Sequence, residues 1–222
     1  MHATLYHERL QQFINEVTVY PVSCEKLAAG RSDLEWLDAV LAGGARIVQL
    51  RDKVSDARTF HAKAMAFREK TRAAGALFIV NDRLDIALMA DADGVHLGND
   101  DLPAEAVRRF APNLIIGVSC NTEEQAATAE ARGASYFNIG PLFPTQTKEE
   151  AREYIGVEAI SRFAARSPLP FTVMGGIKFD HISQLTAAGA QRIAVVTALS
   201  QAPDIAAATR EWIAAIRHGS NR

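Results

Sequence analysis

Four times in this chain a helical stretch ends at Gly-Ala and an apolar run begins at once. Gly44-Ala45 precedes Arg46-Ile47-Val48-Gln49-Leu50, and Gly75-Ala76 precedes Leu77-Phe78-Ile79-Val80. Gly133-Ala134 precedes Ser135 to Ile139, and Gly189-Ala190 precedes Gln191 to Val196. Glycine terminates a helix readily because it adopts the left-handed backbone, and short β-branched runs beyond it read as buried strands. The two later intervals are about twice the first, so a unit is concealed in each. The skipped strands fall near Gly94–Leu97, Leu114–Gly117 and Phe171–Met174.

The spacing therefore predicts eight strands, at 17–23, 46–51, 77–81, 93–97, 114–118, 135–139, 171–174 and 191–196. It predicts helices at 33–42, 55–74, 83–90, 103–110, 122–132, 156–166, 179–187 and 204–217, with a short amphipathic helix at 3–16. Ser32 and Glu35 form a capping box at the head of the 33–42 helix. Alternating strands and helices imply a parallel sheet covered by helices. The expected fold is α/β, a single-domain (β/α)8 TIM barrel over residues 1–222, with 1–16 as an N-terminal helical extension. An open doubly wound sheet is the other arrangement the alternation permits, but no glycine-rich dinucleotide fingerprint follows the first strand.

Composition narrows what such a barrel can do. The formal net charge is −2 and no Lys/Arg block occurs, which argues against nucleic-acid binding. No apolar run approaches the roughly 20 residues a bilayer span needs, and the polar N-terminus lacks a signal-peptide core. A cytoplasmic enzyme is expected, with Cys24 and Cys120 as free thiols. Small barrels often pair, which leaves a homodimer open.

The active site of a (β/α)8 barrel forms at the C-terminal ends of its strands. After strand 2, alternation places Gln49, Arg51 and Lys53 on one face; two cations there call for an anionic partner, unless the strand has already ended and both reach water. After strand 3 comes Asn81-Asp82, and after strand 4 His96 through Asp101. Neighbouring strands let Asp82 meet Asp100 or Asp101, a pair suited to Mg²⁺; the alternative is that both aspartates merely cap helices. His96 reads as a satisfied structural histidine. After strand 5, Ser119 offers a hydroxyl, and Asn121 or Thr122 can cap the next helix. After strand 6, Gly140-Pro141-Leu142-Phe143-Pro144-Thr145-Gln146-Thr147-Lys148 brings two hydroxyls and an ammonium together. After strands 7 and 8, Gly175-Gly176 and Val196-Thr197 suit a phosphate site of glycine amides and a helix start. Two anion sites, one fitted to a diphosphate with metal and one to a monophosphate, imply two phosphorylated substrates joined with loss of pyrophosphate.

The ordered set Val48 to Lys53, Ile79 to Asp82, Ala92 to Gly98, Ile116 to Ser119, Gly140 to Lys148 and Gly175-Gly176-Ile177 resembles thiamine-phosphate synthase, over about residues 46–200. The resemblance implies a Mg²⁺-assisted transferase joining hydroxymethylpyrimidine diphosphate to a thiazole phosphate or its carboxylated form. It implies that Gln49, Arg51, Lys53, Asn81, Ser119 and Lys148 hold the pyrimidine diphosphate, with Leu50, Asp52 and Gln146 among the binding positions. Arg51, Lys53, Ser119 and Lys148 would be the catalytic set, with Asp82 and Asp101 on the metal. Thr145 and Thr147 would face the thiazole, and Gly176, Val196 and Thr197 its phosphate. Threonine stands at 197 where the family usually has serine. The related thiazole tautomerase needs a histidine near the strand 5 loop, where this chain has Ser119-Cys120-Asn121. A non-catalytic phosphate-binding barrel is the reading from a different class.

Overall fold

The computed structural model describes residues 2–145 and 153–220, with side chains from residue 5 onward. Eight parallel strands alternate with helices: β1 (Val19–Pro21), β2 (Ile47–Leu50), β3 (Leu77–Asn81), β4 (Gly94–Leu97), β5 (Ile115–Cys120), β6 (Tyr136–Ile139), β7 (Phe171–Val173) and β8 (Ile193–Val195). The helices are α1 (His2–Glu16), α2 (Asp33–Ala42), α3 (Ala57–Ala74), α4 (Leu84–Met89), α5 (Ala104–Phe110), α6 (Glu123–Ala129), α7 (Ala159–Ala164), α8 (Ile182–Ala187), α9 (Thr197–Ser200) and α10 (Ile205–Ser220). Pairing runs β2-β3-β4-β5-β6-β7-β8-β1. The seam between β1 and β2 closes through a bridge of Val22 to Gln49, with the Ser23 amide donating to the Gln49 carbonyl at 2.9 Å. The closed ring decides for the barrel over the open sheet.

The element ends follow local chemistry. Ser32 and Glu35 form the expected reciprocal box at α2, and Thr122 with Gln125 forms a second at α6. α3 ends at Gly75 in the left-handed conformation, φ 63°. Leu50, Val80 and Leu97 face outward and pack with Trp36, Phe60 and Phe67 in one sheet–helix core. Phe137, Ile139 and Val173 do the same on the opposite side with Phe163, Leu185 and Trp212.

Inside the ring, Ile47, Leu77, Ile79, Ile115, Tyr20 and Tyr136 make a third cluster. The 2–16 helix seals its lower end. Phe13 is fully buried and stacks on Tyr136 with ring centroids 4.5 Å apart. Arg192, just before β8, donates to the carbonyls of Phe13 (3.1 Å) and Ile14 (2.5 Å), supplying donors to carbonyls left open at the α1 C-terminus. Arg9 adds an ion pair to Asp93, which also holds Arg68 and the Phe78 amide. No helix among the described residues is long and apolar enough to cross a membrane.

Removing the Phe13 ring opens a cavity under the barrel floor that a rigid ring of strands cannot collapse to fill. Phe13→Ala is expected to cost about 3 to 5 kcal/mol, checked by denaturant unfolding; a loss under 1 kcal/mol would show that α1 is not part of the core.

Candidate active site

The carboxyl ends of the strands gather at the end of the barrel opposite α1. Gln49 points inward and is buried, donating from Nε2 to the Tyr20 hydroxyl at 3.0 Å. β2 ends at Leu50, so strand alternation does not carry Arg51 and Lys53 as expected. Arg51 lies half-buried in the loop, its amide donating to Ser23 Oγ at 3.0 Å. Lys53 is exposed, yet it turns back to pair with the Asp82 carboxylate. Two neighbours in this stretch do not face the mouth. The Leu50 side chain belongs to the outer sheet–helix core. Asp52 turns its carboxylate into an ion cluster under the loop, where the Lys63 ammonium and the Ser55 hydroxyl hold it.

That cluster fixes the β2–α3 loop. Lys63 of α3 donates to Glu25 (2.6 Å), Asp33 (2.9 Å) and Asp52 (2.8 Å). Asp52 also accepts the amides of Val54 and Ser55 and the Ser55 hydroxyl. Burial would raise the Asp52 carboxyl, but the bonds from Lys63 and Ser55 outweigh it and hold it well below the usual range. Asp33 goes the other way, raised by burial against the pull of Lys63. The Lys63 ammonium, which burial alone would lower, is raised by its three carboxylates.

The aspartates do not cap helices. α4 and α5 begin without side-chain caps, at Arg83 and Pro103. Asp82 adopts the left-handed backbone, φ 63°, held by its amide bonding to the His96 carbonyl at 2.8 Å. A non-glycine residue there costs on the order of 1 kcal/mol or more, strain that a carboxylate needed at that point would justify. Asp101, not Asp100, reaches it. The Asp101 carboxyl is raised, first by burial and then by the adjacent Asp82, while the Gly98 amide (2.7 Å) and Lys53 oppose the shift. Two adjoining carboxylates with a lysine neutralising them fit Mg²⁺, which takes one or two protein carboxylates and fills its shell with waters and substrate phosphates. Among the described residues no group of three or more His, Cys, Asp or Glu is placed to hold a metal.

Ser119 lies within β5 rather than after it, so its inward direction is set by the strand. Its hydroxyl meets His96 Nε2 at 3.1 Å. Asn81 is buried at the end of β3, in register with His96. The sequence pattern did not single out Tyr20 and Tyr136; their hydroxyls meet at 3.0 Å inside the ring. Nor did it find the buried pair Thr172 and Asn138, 2.8 Å apart. Gly175 and Gly176 have φ 106° and 63°. Their open space is taken by the backbone of the 141–144 loop: a Cβ at Gly176 would meet the Pro144 and Phe143 carbonyls. The amides of Leu142 and Phe143 donate to Met174 and Gly175 carbonyls, each at 3.0 Å. Val196 is the N-cap of the short α9 and Thr197 its first residue. Thr145 is exposed at the end of the same loop. Gln146, Thr147 and Lys148 lie outside the described residues. Cys24 and Cys120 are free, and burial pushes the Cys120 thiol up to about 12, which makes it unreactive.

The fold and this polar mouth define the chain as a (β/α)8-barrel enzyme. Comparison narrows the class. The thiamine monophosphate synthase family matches residues 19–199. A thiamine-phosphate synthase of Methanospirillum hungatei is 46% identical over 195 residues, covering 87% of this chain and 95% of that protein. One from Moorella thermoacetica is 45% identical over 193 residues, covering 86% and 92%. The solved thiamine phosphate pyrophosphorylase of Pyrococcus furiosus superposes with a TM-score of 0.85 at 35% identity, covering 92% of this chain and 97% of that one. The chain belongs to the thiamine monophosphate synthase family.

Two outcomes are expected at this mouth. Asp82→Gly relieves the backbone strain and gives up only a half-exposed ion pair of little value, so stability should rise by about 1 kcal/mol, checked by denaturant unfolding; a loss of stability would refute the strain. Lys63→Met strands two carboxylates that are each 3% exposed. It should lower unfolding stability by about 3 kcal/mol; an unchanged melting temperature would refute the keystone role.

Proposed function

We propose that the barrel forms thiamine phosphate by joining hydroxymethylpyrimidine diphosphate to thiazole phosphate, or to its carboxylated form, with release of pyrophosphate. Family membership supports the reaction class. The observation that carries the reading is that Gln49, Asn81, Asp82, Asp101 and Ser119, from four strands and their loops, converge on one mouth beside Lys53.

In this reading Gln49, Asn81 and Ser119 orient the pyrimidine diphosphate, while Arg51, Lys53 and Lys148 neutralise charge growing on the departing pyrophosphate. Leu50 and Asp52 act through the loop they anchor rather than by touching substrate. Asp82 and Asp101 would hold Mg²⁺, whose contribution when bound is to shield the diphosphate oxygens. Lys53 then exchanges Asp82 for the substrate's anion, since one ammonium cannot serve both fully. The electron-rich pyrimidine carries the developing positive charge, so no protein nucleophile is called for. Gly176, Val196 and Thr197 hold the thiazole phosphate, with Thr145 and Thr147 toward the ring and Gln146 in the connecting loop. Fixing both substrates by their phosphates aligns the thiazole nitrogen with the reacting carbon. A pair of these barrels and a cytoplasmic setting accord with the reading but do not enter its chemistry.

The deciding assay supplies both phosphorylated substrates with Mg²⁺ or with EDTA and follows thiamine phosphate. Product is expected only with Mg²⁺, and Lys148→Ala is expected to lower kcat by about a hundredfold or more. Absence of product in both conditions would overturn the assignment.

A further inference from the structure

Five polar groups of the barrel interior form one continuous chain. Gln49 Nε2 contacts the Tyr20 hydroxyl (3.0 Å), which contacts the Tyr136 hydroxyl (3.0 Å). Tyr136 contacts His96 Nδ1 (3.2 Å), and His96 Nε2 contacts Ser119 Oγ (3.1 Å). These five residues come from β1, β2, β4, β5 and β6, so the chain crosses the ring just beneath the mouth.

The chain has a direction. An amide nitrogen can only donate, so Tyr20 accepts from Gln49. Tyr20 has one proton and gives it to Tyr136. Tyr136 has then accepted, and its own proton goes to His96 Nδ1. Burial raises both phenols, which keeps both protons in place. A ring nitrogen that accepts carries no proton, so His96 is neutral and protonated on Nε2. Nε2 therefore donates to Ser119 Oγ, and the Ser119 proton is left to point into the mouth.

We propose that this relay fixes His96 as the Nε2–H tautomer and so commits Ser119 to donate a hydrogen bond to the substrate. Tyr20, Tyr136 and His96 are positioning residues acting through Ser119. The Ser–His contact resembles the nucleophile–base pair of a hydrolase, but its polarity is reversed: the histidine gives a proton to the serine and takes none. At the other end Gln49 uses its amide nitrogen below, leaving its carbonyl oxygen as the group it can offer above. The mouth thus presents one donor and one acceptor in fixed places.

A second observation supports the relay. Gly117 sits within β5, where a glycine weakens a strand and calls for a reason. A Cβ at this position would collide with the Tyr136 phenol and with His96 Nδ1. The glycine leaves open the one space through which Tyr136 reaches His96.

The substrate acceptor depends on the synthase reading, but the tautomer does not, so the first measurement uses the ligand-free full chain. Nitrogen-15 NMR of histidine-labelled protein, with the His96 signals assigned by their loss in His96→Asn, should show Nδ1 unprotonated and Nε2 protonated. A proton on Nδ1, or on both nitrogens, overturns the proposal even if thiamine phosphate is made. The second measurement uses Tyr136→Phe. Its His96 should exchange between tautomers, and kcat/KM should fall about tenfold, the scale of one lost hydrogen bond. A Tyr136→Phe protein with wild-type tautomer and wild-type kcat/KM overturns the relay; if that variant does not fold, the wild-type spectrum decides alone.

Discussion

Closing the sheet on itself is the constraint from which the remaining features descend. A closed ring sends every second side chain into a space that the strands surround and α1 seals from below. Water cannot satisfy polar groups there, so each inward hydroxyl, amide or imidazole must find a partner across the ring. Gln49, Tyr20, Tyr136, His96 and Ser119 do so in a single file. Below them the interior is apolar, with Ile47, Leu77 and Ile115 against Phe13. The polarity gradient from floor to mouth separates what holds the barrel together from what it offers a ligand.

The sequence carried the fold through local signals. A helix ending at glycine with a β-branched run beyond it is readable within ten residues, and seven of the eight strands lie inside the predicted bounds. β5 alone overruns, because Ser119 and Cys120 continue the ladder with Asn138 and Ile139. That Asp82 meets Asp100 or Asp101 was also legible, since strand adjacency follows from chain order; the choice of Asp101 came only with the family resemblance. What was not legible is non-local. Tyr20 meets Tyr136 across 116 residues, and no periodicity encodes that pairing. Leu50 and Asp52 lie among mouth residues in sequence and face elsewhere in space, because alternation and the Lys63 cluster divide neighbours between two sides. Lys53 needed no strand to bring it to Asp82; a pinned loop does it.

One site trades stability for placement. Asp82 keeps a carboxylate where the backbone favours glycine, whereas Lys63 gathers three carboxylates and so secures the loop it fixes. Asp82 lies outside the apolar cores, so its cost falls on the mouth and not on the ring. Gly175 and Gly176 make the reverse exchange. They give up side chains so that the 141–144 loop can lie directly on β7's exit, which brings the strand 6 and strand 7 loops into one surface.

The seam has a consequence for how the chain comes into being. β1 pairs along its length with β8, at the far end of the sequence, and touches the β2 side through one bridge at Val22. Arg192, which caps α1, also lies beside β8. As the polypeptide emerges from the ribosome, α1 and β1 lack these partners until Arg192 and β8 have been made. The β2–β5 ladder can assemble meanwhile from neighbours in order. α1 and β1, made before the other seven strands, are therefore among the last elements to be secured, and the barrel becomes a barrel only when β1 meets β8.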